Sequence, residues 1–229
     1  MTASPQPKGW QQQADEWARE AVAAGEPTAW FDRLYEAGRS GEVTMPWDHD
    51  DPHPVLAAWS SGRAAPAAGA TAVVIGCGLG ADAEHLARLG YATTAFDLSE
   101  AAVAEARARH VSSSVDYVVA DLLDPPAGWQ HGFDLVVEIY TVQAVPRSMR
   151  TAMTRAVTEL IAPDGTLLAV QAVLAEGDDP DEGPPWPLTR QEVEAFADAD
   201  GLHLQGLSEG EHPARPGVRL WEAEVRRTA

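Results

Sequence analysis

The chain has one lysine, Lys8, and one cysteine, Cys77, among its 229 residues. A single cysteine leaves no intrachain disulfide framework and no cysteine-based zinc site. The near-absence of lysine belongs to a wider imbalance, 16 basic side chains against 35 acidic and a net charge of -19. Phosphate backbones and anionic membranes are held by clustered positive charge, so neither nucleic acid nor membrane is an expected partner. No apolar run approaches the roughly 18 residues of a membrane span. The opening stretch MTASPQPKGWQQQ has no apolar core and does not read as a signal peptide, so the expected location is the cytoplasm. Metal ligands are also scarce. His49 and His53 are four apart, but Pro52 and Pro54 break the helix that would align them. The stretch reads as a solvated loop, and no metal is expected.

What is present fits a folded chain. The hydrophobic share is 45% and the charged share 22%, ordinary for a globular protein. Most of the surplus acid reads as solvated surface. The length suits one α/β domain with an extension. A front segment, residues 1–65, is expected to be helical, and the small, flexible stretch SSGRAAPAAG joins it to a body, residues 71–229. The body alternates strand and helix patterns. Expected strands are 71–75, 92–96, 115–120, 133–139 and 166–172, with helices at 81–89, after Ser99, and over 146–161 and 189–200. Two last strands, 203–208 and 218–226, read as an antiparallel pair. The pattern implies a Rossmann-like, seven-stranded, mostly parallel sheet with helices on both faces. Ligands bind such sheets outside the carboxyl ends of the strands.

Those ends carry the candidate chemistry. The first strand runs into Gly76-Cys77-Gly78-Leu79-Gly80, followed by Asp82 on the next helix. Glycines allow a sharp turn and close approach of backbone to ligand. Asp97 ends the second strand, 21 residues after Gly76, where a carboxylate can accept from two ribose hydroxyls; this reading is preferred to a second capping acid beside Ser99. Asp121 follows the third strand with Leu122 beside it, suited to reading and packing an adenine. Glu138 ends the fourth, with Tyr140 and Gln143 on the same lip. Cys77 reads as a packed loop residue without a base partner. The loop also fits Gly-x-Gly-x-x-Ala through Gly76, Gly78 and Ala81, so a dinucleotide and S-adenosylmethionine are both open on spacing alone.

The stretch AVVIGCGLGADAEHLARLGYATTAFDLSEAAVAEA resembles the cofactor half of class I S-adenosylmethionine-dependent methyltransferases. The likeness continues through VVADLLD, FDLVVEIYTVQAVP and LIAPDGTLLAV. Val74 stands where many of these enzymes have an acid, and Asp82 is a candidate substitute. WFDRLYEAGRSGEVTMPWDHDDPHPVL and GPPWPLT are similar to stretches of the thiopurine and halide/thiol methyltransferase group. The resemblance implies S-adenosylmethionine as cofactor, S-adenosylhomocysteine as product and a small-molecule acceptor, with the protein a monomer or homodimer. Cofactor contacts are expected from Tyr35, Trp47, Gly76, Cys77, Gly78, Gly80, Asp82, Asp97, Leu98, Asp121, Leu122 and Glu138. Substrate contacts are expected from Trp30, Phe31, Trp47, Tyr140, Gln143 and Trp186, with Glu138 and Tyr140 the catalytic candidates. The front aromatics read as a lid, since sulfonium cations favour aromatic faces and a closed site excludes water. The expected acceptor is a thiol or other soft nucleophile; an O- or N-methyltransferase, a nicotinamide-dependent oxidoreductase and a non-catalytic cofactor-binding protein are the alternatives.

Overall fold

The structure is a computed structural model that describes residues 8–45 and 47–228. Pro46, within the front stretch that resembles the thiopurine and halide/thiol group, lies outside the described residues. Seven strands form the sheet: β1 (Thr71–Ile75), β2 (Ala92–Asp97), β3 (Asp116–Val119), β4 (Phe133–Ile139), β5 (Ile161–Ala172), β6 (Leu202–Glu211) and β7 (Arg219–Arg227). Their order is β3-β2-β1-β4-β5-β7-β6. The first five strands pair in parallel, and β7 is antiparallel to both β5 and β6. The winding reverses at β1, whose neighbours are β2 and β4, so the crevice of an open α/β sheet falls at the carboxyl ends of these strands.

Alternate residues of the sheet feed two cores, as the period of two requires. Val73, Ile75, Val136, Leu167 and Val225 face one core, and Ala72, Val74, Leu135, Val137 and Leu168 face the other. Helix α6 (Arg150–Glu159) and α7 (Arg190–Glu194) cover the first face. Helices α3 (Pro54–Ser61), α4 (Ala81–Leu89) and α5 (Glu100–Arg109) cover the second, with Val55 and Leu56 of α3 in the same cluster as Val74.

The largest differences from expectation fall in three elements. Strand β5 starts at Ile161, not Thr166, because Phe133 pairs with Ile161 before the register shifts by Leu135. The APDG stretch is thereby absorbed into an irregular strand, with Asp164 at φ 61°. The helix expected over 146–161 shrinks to α6, preceded by a 3-10 turn at Arg147–Met149. The helix expected over 189–200 is one α-helical turn, α7, opened by a capping box between Thr189 and Glu192 and finished by a 3-10 turn at Ala195–Ala197.

The front segment forms α1 (Trp10–Ala24) and α2 (Trp30–Arg39), with Lys8–Gly9 bridging Val43–Thr44 in parallel. Their buried residues make a third cluster, including Trp17, Trp30, Leu34 and Met45, that also takes in Leu79 and Trp186 of the body. Helix α2 is tied to α5: the Asp32 carboxylate accepts from the Ser99 hydroxyl and, at 3.2 Å, from the Ala101 backbone N–H. An acid over a helix N-terminus satisfies otherwise unpartnered amides and opposes the helix dipole. At the other end of α5, Arg109 donates to Asp48 at 2.6 Å, which holds the turn containing Trp47. Among the described residues, no helix is long and apolar enough to cross a membrane.

Candidate active site

Between β1 and α4, the three loop glycines all have left-handed backbones, with φ of 60° at Gly76, 51° at Gly78 and 94° at Gly80. Other residues reach this region only at a cost. Space is also short. A Cβ at Gly76 would lie 2.5 Å from the Thr141 Oγ1, one at Gly78 would lie 3.0 Å from the Tyr35 hydroxyl, and one at Gly80 would strike the Tyr117 hydroxyl. The loop therefore presents bare backbone beneath Tyr35.

Asp97, at the end of β2, holds that loop in shape. One carboxylate oxygen accepts from the Gly78 N–H and the other from the Ser99 N–H, both at 3.0 Å. A carboxylate has about four acceptor positions, so Asp97 keeps capacity for a ligand while fixing the loop and the start of α5. Both roles read from the sequence, ligand acceptor and helix assistant, are open to the one side chain. Burial pushes its pKa up, against the pull of its backbone donors.

These residues line a cavity of about 520 Å³. Gly76, Cys77, Gly78, Gly80 and Asp82 form its floor, and Asp97 and Leu98 its β2 side. Asp121 and Leu122 line it after β3, where Asp121 also accepts from the Leu123 N–H at 2.8 Å. The front segment supplies Trp30, Phe31, Tyr35 and Trp47. Trp10 lines the cavity too, edge-on to Trp47 with ring centroids 5.1 Å apart. Burial raises the Tyr35 pKa well above its ordinary value, so it is a neutral phenol. Cys77 is buried and its thiol pKa is likewise raised by burial, which removes it as a nucleophile.

Two expected site residues fall elsewhere. Glu138 is fully buried and does not line the cavity. One of its oxygens accepts from the Thr141 and Val142 N–H groups, at 2.8 and 2.9 Å, and the other accepts from the Gln171 amide. It therefore braces the lip after β4 and touches neither cofactor nor acceptor space. Burial raises its pKa to about 7, with its three donors opposing the rise. Trp186 is buried in the front cluster, its indole N–H donating to the Asp181 carbonyl; Pro184 and Pro185 reach the cavity instead. Gln143 does line the cavity, but its side-chain oxygen accepts from the Ala172 N–H at 2.6 Å.

Tyr140 takes the cavity-facing place on the lip, its backbone held at φ 64° by an N–H donated to the Val170 carbonyl at 3.0 Å. Such a conformation is unusual for a bulky residue and concentrates at functional sites. Its hydroxyl lies 3.2 Å from His53 Nε2. Contrary to the solvated-loop expectation, His53 is buried and caps α3, its Nδ1 accepting from the Val55 N–H at 3.3 Å. Pro54 occupies the first turn of α3, where a missing N–H costs nothing. Asp82 anchors this segment by accepting from the His53 backbone N–H at 2.6 Å. Among the described residues, no cluster of three or more His, Cys, Asp or Glu side chains could hold a metal.

A glycine cradle and acids at successive strand ends are what the resemblance to class I methyltransferases implies. Residues 72–165, from β1 into β5, match the family described as Methyltransferase domain. Among curated proteins the chain is similar to the ubiquinone biosynthesis O-methyltransferase of Xanthomonas axonopodis pv. citri (strain 306), 37% identical over 130 residues, covering 53% of each chain. The chain spans about half the length of the curated relatives it matches. Among solved structures it is similar to Burkholderia thailandensis 1,6-didemethyltoxoflavin-N1-methyltransferase, with a TM-score of 0.68, 17% identity, and 93% of this chain covering 91% of that one. It is also similar to the [4+2]-cyclase SpnF, with a TM-score of 0.66, 16% identity, and 86% of this chain covering 95% of that one. The solved neighbours share the fold, on which different chemistries are carried.

Proposed function

We propose that this protein transfers the methyl group of S-adenosylmethionine to a small-molecule acceptor. The observation that carries this reading is the cradle itself: three left-handed glycines below Asp97, whose remaining acceptor positions face the same cavity. The residues fit the group. Bare backbone at Gly76 and Gly78 lets a nucleoside and its amino-acid chain lie close, Asp97 suits ribose hydroxyls, and Asp121 with Leu122 suits an adenine. S-adenosylmethionine, when bound, supplies an electrophilic methyl on a sulfonium. The chain's part is to align an acceptor with it and to exclude water, which the aromatic wall of Trp30, Phe31, Tyr35 and Trp47 serves.

The antiparallel β7 and β6 at the sheet edge favour this reading over a nicotinamide-dependent oxidoreductase. For the acceptor atom, the names of the curated relatives favour oxygen. A thiol is the second reading, favoured because two base candidates at the lip are poorly suited: His53 is pushed down to about 3, chiefly by burial, and Glu138 does not line the cavity. Both point to an acceptor that ionises without help from the protein.

Titration calorimetry tests the proposal. S-adenosylhomocysteine is expected to bind and NAD to give no heat; binding of NAD alone would overturn it. Labelled S-adenosylmethionine offered with matched phenols and thiols then separates oxygen from sulfur.

A further inference from the structure

The loop between β6 and β7 is built as two successive turns. The Arg215 N–H donates to the His212 carbonyl at 3.1 Å, and the Val218 N–H donates to the Arg215 carbonyl at 3.2 Å. The second turn has Pro216 and then Gly217 at φ 83°, the residues a type II turn requires. Glu211 secures it by accepting from the Gly217 N–H at 2.8 Å. The His212 ring is buried, accepts from the Ala214 N–H at 3.0 Å, and lies edge-on to His53 with centroids 5.3 Å apart. A connection far from the glycine loop in sequence thus brings Arg215 to the cavity wall, where it is the sole Lys or Arg among the described residues.

Arg215 meets a matching neighbour there. Burial sets the shift at Tyr140, His53 and His212, raising the phenol and lowering the two imidazoles, and the Arg215 charge pulls each of the three downward. The Val55 N–H occupies His53 Nδ1, so the neutral ring carries its proton on Nε2 and donates to the Tyr140 oxygen. That leaves the Tyr140 O–H as a donor into the cavity. Its own proton is held firmly, burial raising the pKa to about 12. Asp82, the acid nearest this corner, is turned to the His53 backbone N–H, and His49 stands on the rim.

We propose that Arg215 and Tyr140 form a subsite for an anionic oxygen group of the acceptor, a carboxylate or a ring-bound oxyanion. This rests on the methyl-transfer reading only for the word acceptor; the subsite itself is a property of the cavity. A guanidinium and a phenol donor at a partly enclosed mouth attract an oxyanion and orient it by charge-assisted hydrogen bonds.

The test uses benzoate and its uncharged counterpart benzamide, titrated into the full-length protein with and without S-adenosylhomocysteine. Benzoate is expected to bind about fivefold tighter or more, the scale of a charge pair at a solvated rim. Arg215→Gln is expected to abolish that preference and Arg215→Lys to keep part of it, with S-adenosylhomocysteine affinity unchanged in both. Equal affinity for the two probes, no benzoate binding at millimolar concentration, or a preference that survives Arg215→Gln would overturn the subsite. Failure of S-adenosylhomocysteine to bind would instead sink the methyltransferase reading, and the benzoate comparison on the protein alone would still decide the subsite.

Discussion

The two ends of the cavity are held by different means. On the glycine-loop side, backbone conformation and buried carboxylates do the holding, and the residues follow one another closely from Gly76 to Asp97. At the mouth, side chains converge from distant places: Tyr35 from α2, His53 from the start of α3, Tyr140 from the β4 lip and Arg215 from the β6–β7 loop. A site made of local backbone is rigid and leaves a strong trace in sequence. A site made of converging side chains can change its occupant by single substitutions, and its trace is scattered. In this chain the cofactor end is constrained and the acceptor end adjustable.

The strongest way to break this contrast is Gly76→Val. A β-branched side chain there meets both a left-handed backbone and Thr141, and strain of about 1–3 kcal/mol precedes any clash. S-adenosylhomocysteine binding is expected to vanish in calorimetry; retained binding would show the cradle to be tolerant after all. Next is Glu138→Gln, which replaces one of the two acceptor oxygens serving three buried donors with an amide NH2 and is expected to cost on the order of 1–3 kcal/mol by denaturant titration. This variant also has a pH signature. The folded pKa of Glu138, about 7, lies above its ordinary 4.5, so the folded state binds the extra proton between those values. Stability from this group is full below pH 4.5 and falls as pH rises through about 7. The wild type should therefore lose stability relative to Glu138→Gln across that window. A flat difference would mean that the carboxyl is not raised.

Asp97→Asn probes the same end more gently. It keeps an oxygen for one loop amide and loses the other, so S-adenosylhomocysteine affinity is expected to fall about tenfold, near 1.4 kcal/mol. Trp47→Ala is expected to weaken that affinity a fewfold, since part of the aromatic wall is lost; unchanged affinity would argue against a lid. The smallest effect should come from Arg109→Gln, whose partly exposed pair with Asp48 contributes about 0.5 kcal/mol, visible only as a slight drop in Tm at low salt.

The strands and the glycine loop were legible because period-two apolar runs and positive-φ glycines have few substitutes. Glu138 was not. As a strand-end acid it resembles Asp97, but its parity with Val136 directs it toward the layer of α6, and that alternation was the available signal. Trp186 was misplaced because an aromatic beside prolines fits a packed cluster as well as a pocket. His53 looked solvated amid acids and prolines, since only the fold brings Tyr140 and His212 around it. Arg215 went unread, although the Pro-Ala-Arg-Pro-Gly run around it announces paired turns. Long-range convergence has no local periodicity, and this is why the mouth is harder to read than the cradle.

The bond from Asp32 to the start of α5 couples motion at the front to order in the body. Any swing of α2 that uncovers the glycine loop must first release the Ser99 hydroxyl and the Ala101 amide. Ser99 also donates to Asp97, so the same swing loosens the carboxylate proposed to hold the ribose. Entry and exit of a nucleoside would then share one clock, the fraying of a single helix end.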